Sequence, residues 1–182
     1  MKKVGMILLI MACLIFANTA LAQELRTALK GDFRYQFATS EGYRTHFLGG
    51  GVSAERHFSR YNITFGLTAN YLKRIDEIVD TSLALDDVWY FSLAFRYYYG
   101  RPLSGPYVGF VGGLGFPANE GVYRDLCYQM GYQLLPGKFL IDLNTQIGLA
   151  GYDTHEYTPD YTILYAFSGF VLKAGISVGI GF

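Results

Sequence analysis

The sequence predicts an all-β protein: an eight-stranded, antiparallel, up-and-down transmembrane β-barrel that follows a cleaved signal peptide. Three observations predict it. Apolar residues alternate with polar or small ones in eight successive segments, the period of a strand with two unlike faces. Aromatic residues make up 17% of the chain and charged residues only 16%, against about 25% charged in soluble domains. The last ten residues, KAGISVGIGF, still alternate, with Ala174, Ile176, Val178, Ile180 and Phe182 on one side, where chain ends ordinarily fray into water.

Residues 1–22 read as a leader rather than fold. Lys2 and Lys3 form a positive start, and the apolar run from Val4 to Ala17 is too short to span a bilayer as a helix. Ala20-Leu21-Ala22 fits the small-x-small cleavage rule, so Gln23 begins the mature chain. Cys13 after Ala12 is an alternative lipid-attachment site, disfavoured by the bulky Met11. The barrel domain is 23–182, one domain by length. The whole chain carries 15 Lys and Arg against 15 Asp and Glu. Loss of Lys2 and Lys3 leaves a slight acidic excess, so no basic face calls for nucleic acid. Cys127 is the sole mature cysteine, which excludes an internal disulfide.

In the first strand, over 25–37, Leu25, Thr27, Leu29, Phe33, Tyr35 and Phe37 alternate with Arg26, Lys30, Asp32, Arg34 and Gln36. In the second, over 46–58, Leu48, Val52, Ala54 and Phe58 oppose Ser53, Glu55 and His57. The third, 61–72, sets Phe65, Leu67 and Tyr71 against Thr64, Thr68 and Asn70. The fourth, 88–99, sets Trp89, Phe91, Phe95 and Tyr97 against Tyr90, Ser92 and Arg96. In the fifth, YVGFVGGLGF over 107–116, Val108, Phe110, Leu114 and Phe116 oppose glycines. Its spacing is not that of a phosphate loop. The glycines leave an almost empty stripe, to be filled by a bulky group such as Tyr90, Tyr98 or Arg96. The sixth sets Leu126, Tyr128, Met130 and Tyr132 against Asp125, Cys127 and Gln129, and the seventh sets Phe139, Ile141, Leu143 and Ile147 against Asp142, Asn144 and Gln146. The eighth runs over 167–182.

Connections alternate in length. Tight ones fall at Ser59-Arg60, Gly100 to Gly105 and Pro136-Gly137, compositions that suit hairpin turns. Longer ones are expected at 38–45, 73–87 and 151–162, and a shorter Pro, Asn and Gly piece at 117–121.

Period two does not say which face points inward. A soluble barrel buries its apolar stripe, whereas a membrane barrel turns it to lipid. The opposite stripe here is rich in Gly, Ser, Thr and Asn, which suits the narrow interior of an eight-stranded barrel. Aromatics gather near strand ends, as in interfacial girdles. A Lys or Arg on the lipid face costs about 2–4 kcal/mol at the midplane. The inward assignment instead sets Arg26, Lys30, Arg34, Arg96 and Lys173 against Asp32, Glu55, Asp125 and Asp142, with His57 nearby. Arg56 and Arg124 fall on the outward stripe near strand ends, where long side chains reach the interface.

On these features the chain resembles the small eight-stranded outer-membrane barrels of Gram-negative bacteria, of the OmpX and OmpA transmembrane-domain type. The resemblance is architectural and covers the mature chain. Members of that class carry a C-terminal assembly signal, and Lys173, Gly175, Val178, Ile180 and Phe182 look like it. The resemblance implies the barrel assembly machinery as a partner, an outer-membrane location and both termini in the periplasm.

No strong catalytic, cofactor or metal motif is present. His57 beside Glu55 reads as part of a charged lumen. YDTHEYTPDY (152–161), with Asp153, His155, Glu156 and Asp160, and RIDEIVD (74–80) read as solvated loops, without the spacing of a calcium site. Arg44, Lys73, Arg74 and Arg124 are expected around the long-loop rim, where lipopolysaccharide phosphates would meet them. The expected role is surface interaction or envelope maintenance by a monomer, without general porin activity. Two alternatives stand beside it. A lipid A deacylase or acyltransferase would need a Ser–His pair and an acid at the rim, where His46 and His155 are available. A narrow conduit for small apolar ligands would need an opening through the wall.

Overall fold

A computed structural model describes residues 27–40, 43–58, 61–75, 87–118, 121–153 and 169–182. Eight strands close into one antiparallel barrel in chain order: β1 (Thr27–Ser40), β2 (Tyr43–His57), β3 (Ile63–Arg74), β4 (Val88–Tyr98), β5 (Gly105–Pro117), β6 (Val122–Leu134), β7 (Phe139–Asp153) and β8 (Gly169–Gly181). The ring closes between β1 and β8, where Asp32 pairs with Ser177 and Gln36 with Lys173. Closure leaves no unpaired edge, the condition for strands to cross hydrocarbon. The leader, Arg26, the Ser59-Arg60 turn and the stretch holding His155, Glu156 and Asp160 lie outside the described residues.

The two faces separate cleanly. Phe33, Leu93, Phe95, Phe110, Leu143 and Val178 are each about half exposed on the outside, whereas Lys30, Glu55, Asp125, Asp142 and Lys173 are buried inside. A water-soluble protein would show the reverse; hydrocarbon is the solvent that fits.

Two details differ from the sequence reading. The first connection is short: Ala38, Thr39 and Ser40 pair with Thr45, Arg44 and Tyr43, so 38–45 is mostly strand. The seventh strand also runs past Leu149 to Asp153. The long connections are those after β3 and β7, and they share one end of the barrel, called here the loop end.

The lumen is not polar throughout. At the loop end Ala38, Phe47, Leu72, Val88, Tyr123, Ala150 and Val171 belong to a buried apolar cluster. At the opposite, turn end a smaller one unites Ala28, Leu103 and Leu140. Leu103 adopts φ 58°, a left-handed conformation unusual for leucine. That bend in the β4–β5 turn points its side chain into the barrel mouth, where it is 1% exposed.

Candidate functional site: an ion-packed lumen and a cationic rim

Near the turn end, β1, β2, β4 and β7 deliver two cations and two carboxylates to one point. Lys30 Nζ lies 2.5 Å from Glu55 Oε2 and 2.9 Å from Asp142 Oδ2. Arg96 Nη1 reaches the same two oxygens at 2.8 and 3.0 Å. Their other oxygens are also occupied. Tyr98 donates to Glu55 Oε1 at 2.7 Å and Tyr107 to Asp142 Oδ1 at 2.7 Å; the Thr64 hydroxyl also donates to Glu55 Oε1. Gln133 accepts from Lys30 at 3.0 Å and donates to the Leu103 carbonyl at 3.0 Å. Buried charges persist only when paired and hydrogen-bonded. Here each carboxylate faces two cations.

A second cluster lies nearer the loop end. Lys173 Nζ is 2.6 Å from Asp125 Oδ2 and 4.4 Å from the centre of the Tyr90 ring. The Tyr90 hydroxyl donates to Asp125 Oδ1 at 2.8 Å and accepts from Lys173 at 2.7 Å. The Arg34 guanidinium sits 5.7 Å over the same ring. Cys127, buried, points its thiol toward Asp125 at 3.8 Å. Glycine makes room for these rings: a Cβ on Gly113 would collide with Tyr90, and one on Gly131 with Tyr107.

Asp32 shares the inward phase of Lys30 and Arg34 without joining either ion-pair cluster. His57 stands apart too, its Nε2 2.7 Å from the Tyr61 carbonyl oxygen at the turn end. Parity marks the charged members of both clusters. It does not mark the neutral ones, Thr64, Tyr98, Tyr107, Gln129 and Gln133, because a neutral inward side chain looks alike in sequence whether it bonds an ion or fills space.

The four rim cations do not form one patch. Arg44 and Lys73 are exposed on adjacent strands, β2 and β3, in outward phase. Arg74 follows Lys73 in the opposite phase, and its backbone N–H donates to Asp87 at 3.0 Å. Arg124 faces outward on β6, across the barrel. The Tyr35 hydroxyl lies 2.6 Å from His46 Nδ1 between Arg44 and Leu48, and Phe37 packs on that imidazole at 4.9 Å. Tyr71 and Trp89 pack at 5.1 Å beside Lys73. Cations beside an aromatic girdle suit a headgroup layer.

A depression of about 300 Å³ on the outer wall is lined by Gly31, Asp32, Phe33, Gly51, Ile176 and Val178. It follows from the missing side chain of Gly31 between larger outward neighbours. Among the described residues, no group of three or more His, Cys, Asp or Glu converges as metal ligands would.

The chain is similar to the crystal structure of Neisserial surface protein A, with a TM-score of 0.59 and 11% identity over 85% of this chain and 96% of that one. The fold is that of the small eight-stranded outer-membrane barrels. A second similar structure is Ail, the attachment invasion locus protein of Yersinia pestis, with a TM-score of 0.48 and 13% identity over 88% of this chain and 100% of that one. No protein-family model matches, and comparison with curated protein sequences finds no match.

Proposed function

We propose that this protein is a monomeric barrel of the Gram-negative outer membrane, with a closed lumen and a role in surface interaction or envelope maintenance. The observation that carries this reading is the four-membered cluster of Lys30, Arg96, Glu55 and Asp142, with the Tyr98 and Tyr107 rings packed at a tilt, 5.1 Å between centres, beside it. A solute crossing the lumen would have to separate charges whose pairing offsets their desolvation, at about 3–5 kcal/mol for a broken buried pair. Work at the cell surface then falls to the external connections and to the outward rim. Arg44 and Lys73, beside Tyr71, Trp89 and the Tyr35–His46 pair, offer phosphate-bearing lipid a charged and aromatic seat. Residues Lys173, Gly175, Val178, Ile180 and Phe182 serve the barrel assembly machinery on the way to the membrane.

The test is electrical and chemical on one preparation. Refolded protein in planar bilayers is to show no stable conductance above the bare membrane, and no hydrolysis or acyl transfer on lipid A. A steady open channel would overturn the closed lumen. Lipid A turnover lost on replacing His155 would replace the proposed role with catalysis.

A further inference from the structure

Leu103 occupies a backbone position that suits glycine. The β4–β5 turn runs Arg101-Pro102-Leu103-Ser104 and is closed by the Ser104 N–H, which donates to the Arg101 carbonyl at 3.1 Å. Proline holds the first central residue at negative φ, and Leu103 follows at φ 58°. A positive φ after proline belongs to a type II turn, whose second central residue is ordinarily glycine or asparagine. Among the described residues Leu103 is the only non-glycine with positive φ; the others are Gly105, Gly121 and Gly137. Backbone of this kind persists where the surroundings over-determine it.

Two contacts hold it. The side chain folds back over the turn-end mouth and is 1% exposed, while Arg101 in the same turn is exposed. It packs in one cluster with Leu140 of β7 and Ala28 of β1, and β1 lies across the ring from the β4–β5 hairpin. The cluster therefore reaches from one wall of the mouth to the other. The Leu103 carbonyl makes the second contact, accepting from Gln133 Nε2 at 3.0 Å. That bond fixes which way round the Gln133 amide lies. Its Oε1 then accepts from Lys30 Nζ and from the Tyr98 hydroxyl, both at 3.0 Å. Tyr98 and Tyr107, opposite each other at the base of the same hairpin, bond Glu55 and Asp142.

Glycine at this position would keep the turn and the carbonyl and would relieve the backbone. Only the side chain would be lost. We propose that Leu103 is a stopper: its side chain closes the turn-end mouth against water, and its carbonyl locks Gln133 in the orientation that completes the Lys30 cluster. Ion pairs weaken where water enters, so the strained turn secures a dry cluster. One short turn seals this end of the lumen without the long connections of the other end.

The test follows the Gln133 side-chain amide by NMR, with the full protein in detergent micelles. In the unaltered protein its exchange with water is to be slow. Leu103→Gly is to quicken it many-fold and to lower the urea midpoint, because the lost leucine outweighs the relieved backbone. Leu103→Met, which refills the mouth, is to restore slow exchange. The Gln36 amide, which donates to the Tyr123 hydroxyl near the loop end at 3.0 Å, is the control and is to stay slow in all three. Unchanged Gln133 exchange in Leu103→Gly, equal quickening at Gln36, failure of methionine to restore the slow exchange, or a raised midpoint for Leu103→Gly would each overturn the proposal. Should Leu103→Gly fail to fold, the unaltered protein decides: a Gln133 amide that exchanges as fast as an exposed one would overturn the stopper, and a slow one would uphold it.

Discussion

Thr27 and Phe182 exchange both of their backbone hydrogen bonds: the Thr27 N–H donates to the Phe182 carbonyl at 2.7 Å, and the Phe182 N–H to the Thr27 carbonyl at 2.8 Å. They form the final rung of the β1–β8 seam. The Phe182 side chain points outward, 59% exposed, so its backbone and its ring have separable roles. Phe182→Ala keeps the rung and removes the ring. The variant is expected to refold in detergent with nearly unchanged stability while accumulating several-fold less in outer membranes of cells. Deleting Phe182 removes both bonds, about 0.5–1.5 kcal/mol each, and is expected to fail in both settings. Heat-modifiable gel mobility reads the first assay, and membrane fractionation the second.

The turn-end cluster sets a stability prediction. Glu55→Gln leaves Lys30 and Arg96 sharing only Asp142. Loss of one partner from a buried ionic group costs about 3–5 kcal/mol. Asp142→Asn is expected to cost a similar amount. Because both carboxylates serve the same two cations, the double variant should depart from additivity. Urea unfolding in lipid or detergent measures all three.

Gly113 lies beneath the Tyr90 ring and Gly131 beneath Tyr107. A methyl group at either site must displace a tyrosine that carries a hydrogen bond to Asp125 or Asp142. Gly113→Ala and Gly131→Ala are each expected to destabilise by about 1–3 kcal/mol, the range for overpacking. Gly100→Ala, whose added methyl meets nothing within 4 Å, is the control and should leave the urea midpoint nearly unchanged.

Asp87 ties the start of β4 to the end of β3. It accepts from the Tyr71 hydroxyl at 2.6 Å and from the Arg74 N–H at 3.0 Å. The tyrosine hydrogen bond, helped by the Arg74 amide and by Lys73, holds its carboxyl below the ordinary aspartate value. A carboxyl shifted downward contributes its stabilisation above its unfolded value and loses it as pH falls through the folded one. The protection factor of the Arg74 amide, exchange corrected for its intrinsic pH dependence, should therefore hold through mildly acidic pH and fall only below the usual aspartate range. Asp87→Ala should lower that protection factor at every pH.

The hydrophobic pattern reports the membrane rather than the hydrogen-bond ladder. Strand faces were legible because lipid and lumen alternate along every strand. Strand ends were not, because Thr39 and Arg44 pair as regularly as any apolar residues while lying beyond the apolar band. Residues 38–45 therefore have the pattern of a loop while forming strand. The lumen charges were visible through parity, but their partners were not: Lys30 and Asp142 are far apart in the chain, and only barrel closure brings them together. The apolar lid was also illegible. Phe47, Leu72 and Val171 interrupt the polar stripe, and period two alone does not distinguish a plug from an exception.

The side of the wall on which hydrocarbon lies decides the account most directly. Trp89 is the only tryptophan, so Trp89→Phe provides a silent background into which Leu143→Trp places one fluorophore on the outward face of β7. In bilayers of phospholipid brominated at mid-chain, that fluorescence should be strongly quenched, while aqueous acrylamide leaves it nearly untouched. Efficient quenching by acrylamide, with none by the brominated lipid, would place water outside the barrel and contradict the account.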